Sequence, residues 1–175
     1  MKVIIYNLLL FLALCFASCQ NSDYDYDNLF PDEYNTIFGI KNNDSGTAKN
    51  LGKVSRTGET SQSTIVILKG GAQPSTVATV KIEKWSDDKI SEYETLMGEK
   101  YKLLPANAYS LNSDEFEFGA DDRAKDLVIT FYNNKVVECI NANGEYTYLL
   151  PLRLVSDKTV NERQAEIVIP ISLVD

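Results

Sequence analysis

Two segments decide the fold class: residues 146–155 read YTYLLPLRLV, and residues 165–174 read AEIVIPISLV. Each alternates in its apolar positions. These positions are Tyr146, Tyr148, Leu150, Leu152 and Leu154 in the first segment, and Ala165, Ile167, Ile169, Ile171 and Leu173 in the second. A period of two places the alternate side chains on one face of an extended strand. The sequence therefore predicts two half-buried β-strands.

Each of these segments contains a proline, Pro151 and Pro170. Proline has no N–H to donate to a neighbouring strand, so it is confined to sheet edges, bulges and places where the missing donor would face away. We therefore expect both prolines to mark points where a strand switches sheets.

Shorter apolar segments separated by turn residues precede these two. We predict further strands at residues 36–40, 64–69, 77–84, 115–118, 127–132 and 135–140, with loops at 41–46 and 56–63. Short strands at this spacing are typical of a β-sandwich. Asn143-Gly144 favours a type I′ turn, so we expect the strands before and after it to form an antiparallel hairpin.

One segment predicts a short helix between two strands. Ser86 can cap its start, Asp87 and Asp88 suit the positive end of the helix dipole, and Gly98 can end it. Ile90, Tyr93 and Met97 share one face at helical spacing. The predicted fold is therefore all-β with one short bridging helix.

Composition narrows the function. The chain has 175 residues, 44% of them hydrophobic, and a formal net charge of −8 with no histidine. That apolar content suits one globular domain. The negative charge argues against nucleic-acid binding, and the missing histidines exclude Cys-His nucleophiles and most zinc sites. We expect no metal and no cofactor.

The first residues resemble an export signal. Lys2 precedes the largely apolar residues 3–16, and Phe16-Ala17-Ser18-Cys19 resembles a bacterial lipobox, although its first position is usually aliphatic. A transmembrane helix is the alternative, but this stretch is shorter than the roughly 20 residues that a span needs. We predict a signal peptide at 1–18, lipid attachment to Cys19, an acidic tether at 19–34 and one domain at 35–175.

The tether and the remaining cysteine complete this prediction. Asp23-Tyr24-Asp25 loosely resembles the surface-export signal of Bacteroidetes lipoproteins. We therefore expect a lipid-anchored protein of the outer membrane that faces the cell exterior, with the periplasmic face as the alternative. Cys139 would be left without a disulfide partner, and the strand predicted at 135–140 favours its burial.

The carboxylates do not favour catalysis. A glycosidase needs two of them flanking a bond, one with a raised pKa. Strand alternation turns Glu115 and Glu117 to solvent, because Phe116 and Phe118 take the core face. Asp87-Asp88 and Asp121-Asp122 lie at a predicted helix start and a turn, so we expect no catalytic residues.

Several segments together resemble one family. They are residues 30–37 (FPDEYNTI), 66–71 (VILKGG), 101–105 (YKLLP) with 109–111 (YSL), and 148–154 (YLLPLRL). The resemblance is to a domain-of-unknown-function family at the N-terminus of Bacteroidetes surface lipoproteins linked to glycan utilisation. It implies an immunoglobulin-like β-sandwich and, in longer relatives, a carbohydrate-binding or glycosidase domain that follows.

If the domain binds sugar, aromatic faces should carry the contact. Trp85 ends a predicted strand and could instead pack under the helix, whereas Tyr132 is predicted to face away from the core. We interpret the protein as a non-catalytic surface domain that captures polysaccharide or oligosaccharide, or organises other outer-membrane glycan-utilisation proteins. The alternative is a protein-interaction or adhesin-like module without direct sugar binding.

Overall fold

A computed structural model describes residues 31–41, 43, 46–48 and 50–175. The signal peptide, Cys19 and the tether as far as residue 30 lie outside the described residues, so their predictions remain untested. Residues Glu33–Asp175 form one compact unit. Within the described residues, neither α-helix is long and apolar enough to span a bilayer.

The described residues form twelve strands and two α-helices. The strands are Ile37–Ile40 (β1), Lys53–Ser55 (β2), Thr60–Gly70 (β3), Ala78–Lys84 (β4), Tyr101–Leu103 (β5), Tyr109–Leu111 (β6), Glu115–Phe118 (β7), Ala124–Tyr132 (β8), Thr147–Ser156 (β9), Thr159–Val160 (β10), Glu166–Pro170 (β11) and Ser172–Val174 (β12). The helices are Asp87–Met97 (α1) and Asn133–Ala142 (α2).

Two main sheets enclose the core. The first has the order β10-β1-β3-β8-β6, and the second has the order β11-β9-β4-β7 with β5 also beside β9. A small third sheet pairs β12 with β2. Apolar side chains from both main sheets form one cluster, in which Phe38, Ile67, Phe118, Ile129 and Phe131 are completely buried. The fold is the all-β sandwich that the sequence predicts.

The first segment with clear alternation becomes β9, and the second is divided into β11, which pairs antiparallel with β9, and β12. The predicted core positions Leu150, Leu152 and Ile169 lie in the main cluster. The opposite face of this pair is also covered, because Leu149 and Val168 pack with residues of α1 in a second apolar cluster. Helix α1 therefore closes the outer side of the second sheet at β9.

Pro170 marks a change of sheet, as predicted, whereas the prediction is wrong for Pro151, which lies within β9 of the second sheet where only the neighbouring strand changes. One side of β9 pairs with β5 as far as Leu149 and with β4 from Leu152 onward, so Pro151 lies in the gap between those two partners. After Pro170, the chain leaves β9 and pairs with β2 as β12. The gap at Pro151 leaves an opening in the second sheet.

Helix α1 confirms the predicted helix with its caps. The Ser86 side chain accepts a hydrogen bond from the N–H of Lys89, and Gly98 ends the helix with a positive φ of 71°. Ile90 is buried, whereas Met97 is 51% exposed. The apolar face of α1 is therefore covered over the first turns of the helix and exposed at its end.

The strand predicted at 135–140 is wrong, because these residues lie in α2. Val136 is completely buried, and Cys139 and Ile140 are partly buried against the core. Spacings of three and four residues place them on one face of a helix. The β-branched residues favour a strand locally, but tertiary packing selects the helical period.

The hairpin predicted at Asn143-Gly144 is consequently wrong. Asn143 follows α2 with a φ of −142°, and Gly144 is not among the positive-φ glycines, so no type I′ turn forms. The loop predicted at 56–63 is too long, since β3 begins at Thr60. The sequence does not predict the short strands β2, β5, β6 and β10, and α2 is a helix in addition to the one expected.

Candidate functional site

The opening at Pro151 forms a cleft of about 260 Å³, which we call the Trp85 cleft. It lies where β9 exchanges β5 for β4 as its neighbour. Its lining residues are Lys84, Trp85, Leu103, Leu104, Pro105, Ala106, Tyr109, Leu149, Leu150 and Pro151. The volume is just below the range of roughly 300–1,000 Å³ typical of drug-sized ligands, so the cleft suits one ring-sized group.

The walls of this cleft are mainly apolar. Leu104, Leu149 and Leu150 are buried and form its floor, while Pro105 and Ala106 are exposed at its rim. Trp85 Nε1 is buried and has no acceptor among the described residues. The accessible part of Trp85 is therefore carbon, and Lys84 and Tyr109 supply the polar side-chain atoms of the lining.

The position of Trp85 is fixed by its neighbours on α1 and β11. The Lys89 ammonium lies 4.5 Å from the ring centroid of Trp85, and Glu166 holds that ammonium at 2.6 Å. The ring of Tyr93 meets Trp85 edge-on, with the centroids 5.4 Å apart. Such cation–π and edge contacts stabilise the ring orientation. Trp85 thus packs beside the helix and also forms a wall of the cleft.

A larger depression of about 730 Å³ adjoins the cleft, and we call it the polar groove. It shares Lys84 and Tyr109 with the cleft, and the Lys84 ammonium lies 4.9 Å from the Tyr109 ring centroid. Its lining residues are Ile82, Glu83, Lys84, Tyr109, Ser110, Leu111, Asn112, Ser113 and Asp114. The Asn112 amide and the Ser113 hydroxyl already bond backbone groups. The Ser110 hydroxyl and the carboxylates of Glu83 and Asp114 can bond a hydroxylated ligand, whereas the cleft can take an apolar part.

The polar groove also contains unpaired strand edges. Asn112 donates its N–H to Val128 of β8, so by antiparallel alternation Leu111 directs its N–H and C=O away from β8. On the opposite side, β7 pairs with β4 only as far as Lys81. The backbone of Lys84 therefore has no strand on that side among the described residues.

The two predicted sugar contacts do not share a site. Trp85 lines the cleft, whereas Tyr132 lies at the end of β8, is 39% exposed, and lines neither the cleft nor the groove. Sequence reasoning missed Lys84 and Tyr109. The landmark segments 101–105 and 109–111 contain four of the cleft residues.

The carboxylates lie apart. Glu115 and Glu117 alternate outward with Phe116 and Phe118 inward, as predicted. The N–H of Gly119 bonds Asp122, and this bond together with Lys125 lowers the pKa of that carboxyl. Among the described residues, no group of three potential ligands could hold a metal. Lowered pKa values suit ion pairs and not a general acid.

A family model described as a "-like, N-terminal domain" matches residues 26–161. The chain belongs to this family of N-terminal domains. This match confirms that the chain is a member of a family of N-terminal domains, as the landmark segments indicate. No curated protein matches the chain.

Solved structures from Bacteroides share the fold. A proposed carbohydrate binding protein of Bacteroides ovatus is 14% identical, with a TM-score of 0.57 over 78% of this chain and 36% of its own. A multidomain protein including DUF1735 from the same species is 13% identical, with a TM-score of 0.56 over 79% and 45%. EndoBT-3987 of Bacteroides thetaiotaomicron, solved with a Man5GlcNAc product, is 15% identical, with a TM-score of 0.51 over 78% and 30%.

These identities establish a shared fold alone. The chain spans less than half the length of each of these three structures. Because a fold hosts many activities, function must be argued from this chain's own cleft and groove.

Proposed function

We propose that this protein is a lipid-anchored, non-catalytic domain of the outer bacterial surface that binds glycans. The observation that carries the proposal is the junction of the Trp85 cleft with the polar groove. Sugars present both apolar C–H patches and hydroxyls, and a site with an aromatic wall beside polar side chains matches both. The carbohydrate-binding neighbour from Bacteroides ovatus supports the same class of ligand.

The placement of the acids supports a binding role without catalysis. Glu83 and Asp114 line the groove, but Glu83 lies on an exposed strand position and Asp114 follows an open turn. A glycosidase acid is normally kept protonated by an apolar pocket. The apolar cleft contains no carboxylate among its lining residues, so that requirement is not met there.

Calorimetric titration against a panel of purified polysaccharides tests sugar binding. We expect at least one saturable binder, and we expect the variant Ala106→Leu to weaken it, because leucine at the exposed rim fills the cleft mouth. Asn107→Leu is the matched control, since this neighbouring exposed residue does not line the cleft. Silence of the folded protein against the whole panel would reject direct sugar binding.

Lipid anchoring rests on the lipobox resemblance at Cys19 and is tested separately. Two or more acyl chains hold a protein stably on a membrane. In the native bacterium we expect Cys19→Ser to move the protein out of the membrane fraction, while Cys15→Ser and Cys139→Ser leave it there. An unacylated wild-type protein by mass spectrometry would contradict the anchor, and surface proteolysis of intact cells would distinguish the two membrane faces.

A second function is favoured by one specific observation, the backbone of Leu111 in the polar groove, whose outward side pairs with no strand in the part of the chain that the structure describes. Open sheet edges accept an extended segment of another protein. The variant Leu111→Pro removes an outward N–H and leaves the bonds to β8 in place. Loss of a co-purifying outer-membrane partner in this variant, with glycan binding absent in both proteins, would favour the interaction module.

A further inference from the structure

The Trp85 cleft and the polar groove differ sharply in chemistry although they share a wall. Lys84 and Tyr109 form that wall. On the cleft side, the remaining lining consists of leucines, prolines, an alanine and the carbon edge of Trp85. A ligand that spans both depressions must therefore be apolar at one end and hydroxylated at the other.

An unsubstituted sugar ring fits this division poorly. Its C–H face can stack on Trp85, but the hydroxyls at C2, C3 and C4 and the hydroxymethyl group at C5 surround that face. A hydroxyl enclosed by apolar walls loses its hydrogen bonds to water without gaining a partner. Trp85 Nε1 cannot compensate, because it is buried beneath the surface. A ring-sized ligand group enters this cleft favourably only if it presents carbon.

We propose that the Trp85 cleft selects sugars that carry an apolar substituent, such as the methyl group of an N-acetyl or a 6-deoxy sugar, while the hydroxyls of the same glycan lie in the polar groove. The inference rests on the proposed function and specifies its ligand class. The apolar substituent is then the main determinant of affinity, because its methyl group is the part of the ligand that is buried in the Trp85 cleft.

Two matched pairs of probes isolate the substituent. Chitotriose and cellotriose share their linkage and differ in the 2-acetamido group, and L-fucose and L-galactose differ in the 6-hydroxyl. Trp85 is the only tryptophan in the chain, so its fluorescence reports binding at the cleft. In at least one pair we expect the substituted sugar to bind about tenfold more tightly, since it avoids burying an unpaired hydroxyl.

The variant Ala106→Leu should reduce that preference towards unity, because the added side chain occupies the space of the methyl group. Asn107→Leu should preserve it. Equal affinities within both pairs, or tighter binding of the unsubstituted sugars, would overturn the inference while leaving sugar binding intact. If only unsubstituted polysaccharides of the wider panel bind, the inference also fails, and silence towards every glycan removes both proposals.

Discussion

Gly52, the residue before β2, packs directly against the chain where it passes from β11 to β12, and no side chain fits there. A Cβ atom built there would overlap the carbonyl oxygen of Pro170 and would lie 3.1 Å from Cγ2 of Ile169. The N–H of Ile171 bonds Tyr148 and holds the peptide plane of this carbonyl, and the carbonyl of Gly52 accepts a hydrogen bond from the N–H of Ser172. Overpacking typically costs about 1–3 kcal/mol. We expect Gly52→Ala to destabilise the protein by about 2–3 kcal/mol, at the upper end of that range.

Gly70→Ala provides the matched control, because nothing lies within 4 Å of a Cβ at that position. It should be neutral or stabilise by about 0.4–1 kcal/mol through the unfolded chain. Urea unfolding followed by circular dichroism measures the unfolding free energy of both variants. In thermal unfolding of a domain of this size, the Gly52→Ala penalty should lower Tm by roughly 4–12 °C. Equal unfolding free energies for the two variants would refute the close approach of Pro170 to Gly52.

Three further predictions concern single side chains. Asn133 is buried, donates to the Thr57 carbonyl at 2.8 Å and accepts from Ser61 at 2.9 Å, so Asn133→Ala should lose about 2–3 kcal/mol in urea unfolding, while exposed Asn134→Ala changes little. Burial, and then the hydrogen bond to Glu99, raises the pKa of Tyr101 to about 12. The free energy of unfolding should therefore fall by about 1.4 kcal/mol per pH unit between roughly pH 10 and 12, and Tyr101 should cause no fall below pH 10. Parallel plots of unfolding free energy against pH for wild type and Tyr101→Phe would contradict this prediction. Burial raises the pKa of the Cys139 thiol, so iodoacetamide at pH 8 should label it slowly when folded and rapidly in urea, as read by peptide mass spectrometry.

The strands that are predictable from the sequence are those with one face in the core. In β9 and β11 the burial of alternate residues produces the period of two, and the capping residues of α1 are local signals. The sequence of helix α2 predicts a strand because Val136, Val137 and Ile140 favour β structure in isolation. The helical spacing of Val136 with Cys139 and Ile140 was present in the sequence, but only packing against the core decides between the two periods.

The site was predictable only in part. The aromatic side chain of Trp85 indicates a sugar contact from the sequence alone, and the structure places it in a cleft wall. The cleft itself depends on β9 exchanging β5 for β4 at Pro151, which is a long-range pairing that no local pattern encodes. Lys84 and Tyr109 meet across the two sheets for the same reason, so sequence reasoning could not bring them together.

The indole N–H resonance of Trp85 tests the central claim most directly, since the chain has one tryptophan and therefore one such peak. In a nitrogen–proton correlation spectrum titrated with the tightest glycan of the panel, we expect this peak and the amide of Ala106 to shift. Both shifts should saturate with the Kd found by calorimetry. If the glycan binds by calorimetry while both peaks stay fixed and shifts cluster elsewhere, as around Tyr132, the Trp85 cleft is not the binding site.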